Sequence, residues 1–440
     1  MKINLPEKVN KIIKALENKG FSAYAVGGCV RDSLLGIDPF DWDITTDALP
    51  YQVKEIFPKT FDTGLKHGTV SVLIDKDIFE VTTFRCDGEY LDNRHPESVS
   101  FTKSIEDDLS RRDFTVNALA YSDSAGLIDC FGGICDLKNK IIRCVGDADK
   151  RFNEDSLRIL RAVRFSAQKN FEIEENTKLS IIKNAELVKN LSVERVISEI
   201  TKIILSDPFK IKDLYDLGIL KHIMPEMCLC FENEQNIKWH IYDVGMHSLN
   251  VVKNLENKPY LRFAGLMHDW GKPYTRGKNE EGEDTFRNHA KKSVEIAEEF
   301  LKRYKFSNSD KDKILRLIKY HDREIIPEKK YVKRAINDVG EYIFLDLINL
   351  KRADCLSQNL ELTSPRLLIY EKYEEIYNEI IMGNEAISVK SLEINGKDLI
   401  NLGFKGKEIG DTLNFLLNKV IDNPELNKKE TLLKIVRERH

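Results

Sequence analysis

The hydrophobic pattern of this chain changes period once, near residue 145, and that change restricts the fold more than any single motif. From about 21 to 145, short β-rich runs (SAYAV, WDIT, TVSVLI, FEVTTF) bounded by Gly, Asp or Pro are mixed with helical segments. From about 146 onward helical periodicity takes over, as in SLRILRAVRFSAQ and VERVISEITKIIL. A sheet has to be built before that point, and the rest has to bury its apolar stripes helix on helix. The expected class is therefore α+β, a small α/β head followed by an all-α remainder. At 440 residues the chain is too long for one compact domain. A polar, irregular stretch from Pro225 to Trp239 and a change near Ser364-Pro365 divide the helical part. The expected units are 1–145, 146–225, 226–363 and 364–440.

The first 21 residues read as one amphipathic helix, with Val9, Ile12, Ile13 and Leu16 at helical spacing and Gly20 as its stop. Charges interrupt every apolar stretch there, which argues against a secretion signal. Nowhere does an apolar run reach the ~18 residues that span a membrane. The eight cysteines show no C-x₂-C pairs, Cys228-x-Cys230 being the nearest approach, and read as reduced thiols. The expected location is the cytoplasm. A formal net charge of −4 means that any RNA surface has to be a local basic face.

The run AVGGCVRDSLLG reads as strand, glycine turn, helix. Gly27 and Gly28 let a ligand approach the backbone, and the helix behind them offers free N–H groups and a positive dipole end. That is a seat for a triphosphate, with Arg31 one turn in. Asp41-Trp42-Asp43-Ile44 follows. In a strand both carboxylates share one face, while Trp42 and Ile44 enter the core. Two carboxylates ~6 Å apart repel by roughly 3 kcal/mol at an effective dielectric of about 20. A divalent cation removes that penalty and can activate a hydroxyl while it clamps phosphates. Glu80, in FEVTTF, is either a third carboxylate on a neighbouring strand or an exposed strand residue.

GGCVRDSLLG…DWD, TGLKHGTV, TTFRCDGEY, RRDFTVNALA, EDSLRILR and SVERVISE occur in that order. Together they resemble the tRNA nucleotidyltransferase and poly(A) polymerase family, in its bacterial-type branch. The resemblance implies a polymerase-β-like head, then a helical neck, body and tail. It implies addition of CCA to the tRNA 3′ end and acceptor arm from CTP and ATP, with Mg²⁺ held by Asp41 and Asp43. Gly28, Arg31 and Arg112 would contact the nucleotide, with Arg111 a surface charge and Asp113 and Asn117 bracing the turn. Arg161 and Arg164 would serve the sugar and phosphates. The segment CDGEYLDNRHPESV matches the family's flexible loop, with Asp92 and Arg94 as polar levers in the switch from C to A.

By the same resemblance Asp155 and Arg158 read the base. At i and i+3 they are expected to share one helix face. A carboxylate accepts from an exocyclic amine, and a guanidinium donates to a ring nitrogen. ATP and CTP both offer an amine beside an acceptor nitrogen, whereas GTP and UTP offer a carbonyl beside N–H. Charged hydrogen bonds contribute roughly 1.5–3 kcal/mol each, so two mispaired groups reject the wrong base about a hundredfold or more.

Five of the nine histidines fall between 240 and 321. The order H…HD…H…HD…D resembles the HD phosphohydrolase superfamily, whose core set here is His247, His268, Asp269 and Asp354. Imidazoles and carboxylates suit a divalent transition metal such as Mn, Ni, Fe or Zn. His289 and His321 could hold a second ion for phosphoester hydrolysis. Trp270 departs from the small aliphatic residue frequent at its position. The block EINGKDLINLGFKGKEIGDTLNFLLNKV resembles the C-terminal, tRNA-binding segment of HD-bearing members. Its glycines 396, 403, 406 and 410 either open helix N-termini to phosphates or permit tight packing. Two alternatives remain close, a poly(A) polymerase and an A-only adding enzyme, though TGLKHGTVSV follows the tRNA-type pattern. An HD phosphohydrolase or nucleotide sensor with an inactive head is a third, opposed by intact Asp41, Asp43, Asp155 and Arg158.

Overall fold

Nine short strands arise before residue 130 in the computed structural model, which describes residues 2–88, 99–235 and 238–439. They are β1 (Ala23–Val26), β2 (Ile44–Thr46), β3 (Thr60–Gly64), β4 (Thr69–Ile74), β5 (Asp77–Thr83), β6 (Arg85–Asp87), β7 (Val99–Phe101), β8 (Leu119–Ser122) and β9 (Gly126–Asp129). Seven form one mixed sheet in the order β3-β4-β5-β2-β1-β8-β9, and β6 pairs with β7. Within that sheet only β2 and β5 run parallel, with Ile44 opposite Val81. The four β-rich runs of the sequence became β1, β2, β4 and β5. Strands β3, β8 and β9 carry weaker alternation: TFDTG has no apolar face, and LAYS is buried on both sides. Asp92 and Arg94 lie outside the described residues.

The chain divides into two compact units, Met1–Met224 and Pro225–His440. In the first, helix Glu7–Glu17 buries Val9, Ile12, Ile13 and Leu16 and packs on β1. Helix Leu157–Lys169 packs along helix Val193–Ser206, burying Ile159, Leu160 and Val163 on one and Val196, Ile200 and Ile203 on the other. Each such fully buried aliphatic side chain contributes about 1.5–3 kcal/mol.

The second unit is helical apart from one short hairpin (Gly277–Lys278 with Asp284–Thr285) among the described residues. Helix Leu367–Met382 shares a core with Val332, Ile336, Phe344 and Ile348. A separate cluster runs from Ala386 to Val436. A Cβ at Gly403, Gly406 or Gly410 would meet nothing within 4 Å, so close packing does not explain those glycines. All eight cysteines are free thiols, and no described helix is long and apolar enough to cross a membrane.

Candidate active site and candidate metal centre

Asp41 and Asp43 precede β2 rather than lying in it, because the strand begins at Ile44. Trp42 is consequently half-buried instead of a core residue, while Ile44 is 1% exposed. Asp43 is pinned by its backbone: its carbonyl accepts from the Val26 N–H at 3.0 Å, one residue before the glycine turn. Asp43 is thus tied to the turn by one backbone hydrogen bond just past the end of the β1–β2 ladder. Asp43 reaches solvent, yet the surrounding protein raises its carboxyl, Arg112 draws it down and Asp41 pushes it up again. Glu80 is exposed and precedes Val81 as Asp43 precedes Ile44, so each stands one residue before the parallel pairing of β2 with β5.

Gly27 has φ +81° and stands as N-cap of helix Gly28–Leu34. The Arg112 guanidinium crosses it so closely that a Cβ there would lie 2.9 Å from Nη1. Arg112 is anchored by Asp108, which is fully buried and also accepts two hydrogen bonds from Arg111. Burial raises Asp108, but Arg111 and Arg112 outweigh it and hold the carboxyl down. Arg111 is therefore not a bland surface charge. Asp108 further accepts from the Thr45 hydroxyl of β2 at 3.3 Å, linking the arginines to the strand behind Asp43. The sequence offered one signal for it, two arginines at i+3 and i+4.

Arg31 is 6% exposed, and its guanidinium donates to Asp32 and, at 2.5 Å, to Asn117. Asn117 donates to Asp113, which also accepts from Arg161 at 2.7 Å. Burial pushes Asp113 up, but Arg161 and Asn117 prevail and bring it to about 2. Arg164 lies on Glu199 and Gln168. The turn at Asp113 and Asn117 and the arginines at 31 and 161 are one hydrogen-bonded chain.

Asp155 and Arg158 do not share a helix face. Asp155 is the extended C-cap of helix Ala148–Glu154, and Ser156 caps the next helix, so a junction separates the pair. Neither bonds the other's side chain. Asp155 accepts from Arg195 at 2.9 and 3.1 Å and from the Leu157 N–H at 3.1 Å. Arg158, 8% exposed, donates to Glu154 at 2.7 Å and to the carbonyls of Arg151 and Arg111. Both groups are held from outside, and each keeps capacity for a ligand: Asp155 has unused lone pairs and Arg158 its Nε–H. Glu154 and Arg195 were missed by sequence reasoning. Both lie in motifs the sequence showed, EDSLRILR and SVERVISE, but the pairing of Arg195 with Asp155 had no local signal, since Arg195 arrives from another helix.

In the second unit His247, His268, Asp269, His289, His321 and Asp354 converge. His247, His268 and Asp354 can bring ligand atoms within 4.8 Å of one another, as can His268, Asp269 and His321. Nδ1 of His247, His268, His289 and His321 each faces a backbone carbonyl, of Ser357, Gly265, Phe286 and Ile318, at 3.3, 2.7, 2.8 and 2.7 Å. A carbonyl can only accept, so Nδ1 carries a proton in each ring and Nε2 is the nitrogen turned inward. His247 Nε2, His268 Nε2 and both Asp269 oxygens are buried without a well-aligned hydrogen bond, though His268 Nε2 lies 3.1 Å and Lys272 Nζ 2.7 Å from Asp269, and His247 Nε2 3.0 Å from Asp354. Close approach without hydrogen-bond geometry is how ligands surround a shared centre, and this donor set fits a metal ion. Burial raises Asp269, but His268 and Lys272 outweigh it and hold it well below the usual carboxylate range. Trp270 is wholly buried and meets Phe300 edge-on at 5.3 Å, filling the core beside the His268-Asp269 pair. A cleft of about 360 Å³ opens over the cluster, with Lys272 and Arg287 on its wall.

Comparison with known proteins bears on both sites. Residues 23–143 match the model of the poly A polymerase head domain, 170–230 that of the probable RNA and SrmB-binding site of polymerase A, and 240–359 that of the HD domain. The CCA-adding enzyme of Streptococcus thermophilus is 33% identical over 441 residues, covering 98% of this chain and 97% of that protein. The CCA-adding enzyme of Lactobacillus helveticus is 51% identical over 195 residues, 44% of this chain and 49% of that one. Among solved structures, the Bacillus stearothermophilus CCA-adding enzyme in complex with CTP superposes with a TM-score of 0.71 at 30% identity, covering 98% and 97% of the two chains. The Thermotoga maritima CCA-adding enzyme complexed with tRNA, at 21% identity and TM-score 0.59, shares the fold.

Proposed function

This chain belongs to the family of CCA-adding enzymes, and on that premise we propose that it adds C, C and then A to the 3′ end of tRNA, taking CTP and ATP without a nucleic-acid template. The observation that carries the reading is the pinning of Asp43 to Val26 beside the Gly27 turn, with Arg112 lying across that turn. Carboxylates and a phosphate seat are thereby brought to one place. Asp41 and Asp43 are the proposed Mg²⁺ ligands, with Glu80 as the third carboxylate. Bound there, the ion would favour ionisation of the tRNA 3′ hydroxyl and offset charge on the triphosphate. The hydroxyl oxygen bonds to the α-phosphorus, the α–β bridging bond breaks, and pyrophosphate leaves.

Gly28 and the N–H groups behind it, with Arg112 and Arg31, receive the triphosphate, and Arg161 and Arg164 serve the sugar and phosphates. Asp155 accepts from the exocyclic amine, and Arg158 donates to the ring nitrogen. The hydrogen bonds from Arg195 to Asp155 and from Arg158 to Glu154 support this assignment, since both groups are oriented before a base arrives. Segments 146–225 and 364–440 are the proposed base-reading body and tRNA-binding tail. The cluster at His247, His268, Asp269 and Asp354 is the proposed site of a divalent transition metal serving phosphoester hydrolysis, with His289 and His321 at its edge. The enzyme is placed in the cytoplasm with its tRNA.

The test offers labelled CTP and ATP to tRNA ending before CCA, after C and after CC, and resolves product lengths. Complete CCA from all three is expected. Asp41→Ala and Asp43→Ala should abolish incorporation while tRNA binding stays within a few-fold. Addition of A alone, or more than about a tenth of normal turnover in both variants, would overturn the reading.

A further inference from the structure

We infer that Phe165 is a positioning residue whose aromatic face gathers the three arginines of the nucleotide site without cancelling their charge. The inference rests on the reading of Arg31, Arg161 and Arg164 as nucleotide ligands. Phe165 lies on helix Leu157–Lys169 and is 6% exposed. The guanidinium carbons of Arg164, Arg31 and Arg161 stand 4.0, 5.1 and 5.2 Å from its ring centroid. All three fall inside the ~6 Å over which a ring quadrupole attracts a cation. Phe114 meets the same ring edge-on, at 5.8 Å and 81°, and so resists rotation of the ring toward any one arginine.

Each arginine also has a carboxylate of its own: Asp32 for Arg31, Asp113 for Arg161 and Glu199 for Arg164. Those carboxylates come from separate elements and tie each guanidinium to a different part of the unit. The ring is what the three share. Three like charges this close repel one another; the carboxylates offset part of that repulsion, and an aliphatic side chain at 165 would remove the attraction the ring adds. A fourth carboxylate would hold them but also neutralise what a triphosphate needs. A phenyl ring attracts cations without adding to the negative charge of the three carboxylates already present, which is the requirement at a polyanion site.

The test keeps the shape of the side chain and weakens its face. Phenylalanine at 165 is replaced in the full-length chain by 4-fluoro-, 3,5-difluoro- and pentafluorophenylalanine through nonsense suppression. KM for CTP and ATP should rise in steps, to about tenfold for the pentafluoro ring, while kcat moves less than about twofold. Preference for CTP over UTP should hold, because Asp155 and Arg158 do not touch the ring. Phe165→Leu should resemble the most fluorinated ring and Phe165→Tyr the natural protein. A flat KM across the fluorine series overturns the inference. Arg161→Ala and Arg164→Ala, run in parallel, separate it from the reading beneath. If they raise KM while the fluorine series is flat, only the role of Phe165 fails. If they leave KM unchanged, the arginines are not nucleotide ligands and both fail.

Discussion

Alanine at Gly27 and alanine at Gly28 should behave differently, although the two glycines are adjacent and look equivalent in the sequence. Gly27 has φ +81° and ψ −127°, a region closed to side chains. Forcing alanine into it costs about 1–3 kcal/mol. The new Cβ would stand 2.9 Å from Arg112 Nη1, inside van der Waals contact, so the guanidinium has to withdraw. Arg112 is also the cation that lowers Asp43 against the burial that raises it. With Arg112 displaced, Asp43 titrates higher, and the carboxylate proposed to hold Mg²⁺ protonates at a higher pH. Gly28→Ala meets only Arg31 Nη2 at 3.7 Å, an ordinary contact, and alanine is a better helix former. Thermal melting and the pH dependence of kcat/KM read both effects. Gly27→Ala should melt roughly 3–10 °C lower, with the acid limb of the rate profile moved to higher pH. Gly28→Ala should melt as the natural protein does and keep that limb, any loss appearing in KM for the nucleotide. If Gly27→Ala melts within about a degree of normal and its acid limb does not move, the account of the turn is wrong.

Arg195→Ala removes the hydrogen bonds that orient Asp155; at roughly 1.5–3 kcal/mol for a charged bond, CTP and ATP incorporation should fall tenfold or more and UTP and GTP much less. Single-turnover incorporation of all four nucleotides decides it, and a uniform loss would make the residue merely structural. Asp155→Asn should tolerate the carbonyl of UTP or GTP in the same assay, because an amide donates as well as accepts. Asp113 is held at about 2, below its unfolded value, so its stabilisation is full above about pH 4 and lost as pH falls toward 2. Asp113→Asn should cost roughly 2–3 kcal/mol near neutrality, and the gap should close in acid. A gap independent of pH, in denaturation curves taken from pH 2 to 7, would contradict the Arg161 pairing. His268→Ala with Asp269→Ala should remove bound transition metal, by elemental analysis, and any phosphoesterase activity. CTP and ATP addition should survive; equal damage to it would mean the two sites are not independent.

Period and motif order, both local properties, were enough to locate the sheet before residue 145 and the helices after it. They were enough also to pick out Val9, Ile12, Ile13 and Leu16 as one buried stripe and to order the histidines and carboxylates of the second cluster. Such readings succeed because side-chain direction repeats every 3.6 or 2 residues whatever the rest of the chain does. What failed were statements about where an element begins. Ile44, not Asp41, starts β2, since that is where pairing to β1 and β5 begins. Asp155 and Arg158 fall on two helices because the backbone leaves the helical region at Asp155. The pairings that aim the site were beyond reach, even where the residues themselves were named. Arg195 meets Asp155 from 40 residues away and Arg161 meets Asp113 from 48. Both bonds depend on how helices Leu157–Lys169 and Val193–Ser206 pack on their neighbours. The chemistry was written in short motifs, but its orientation belongs to contacts between elements, and these form only when the apolar stripes are buried together.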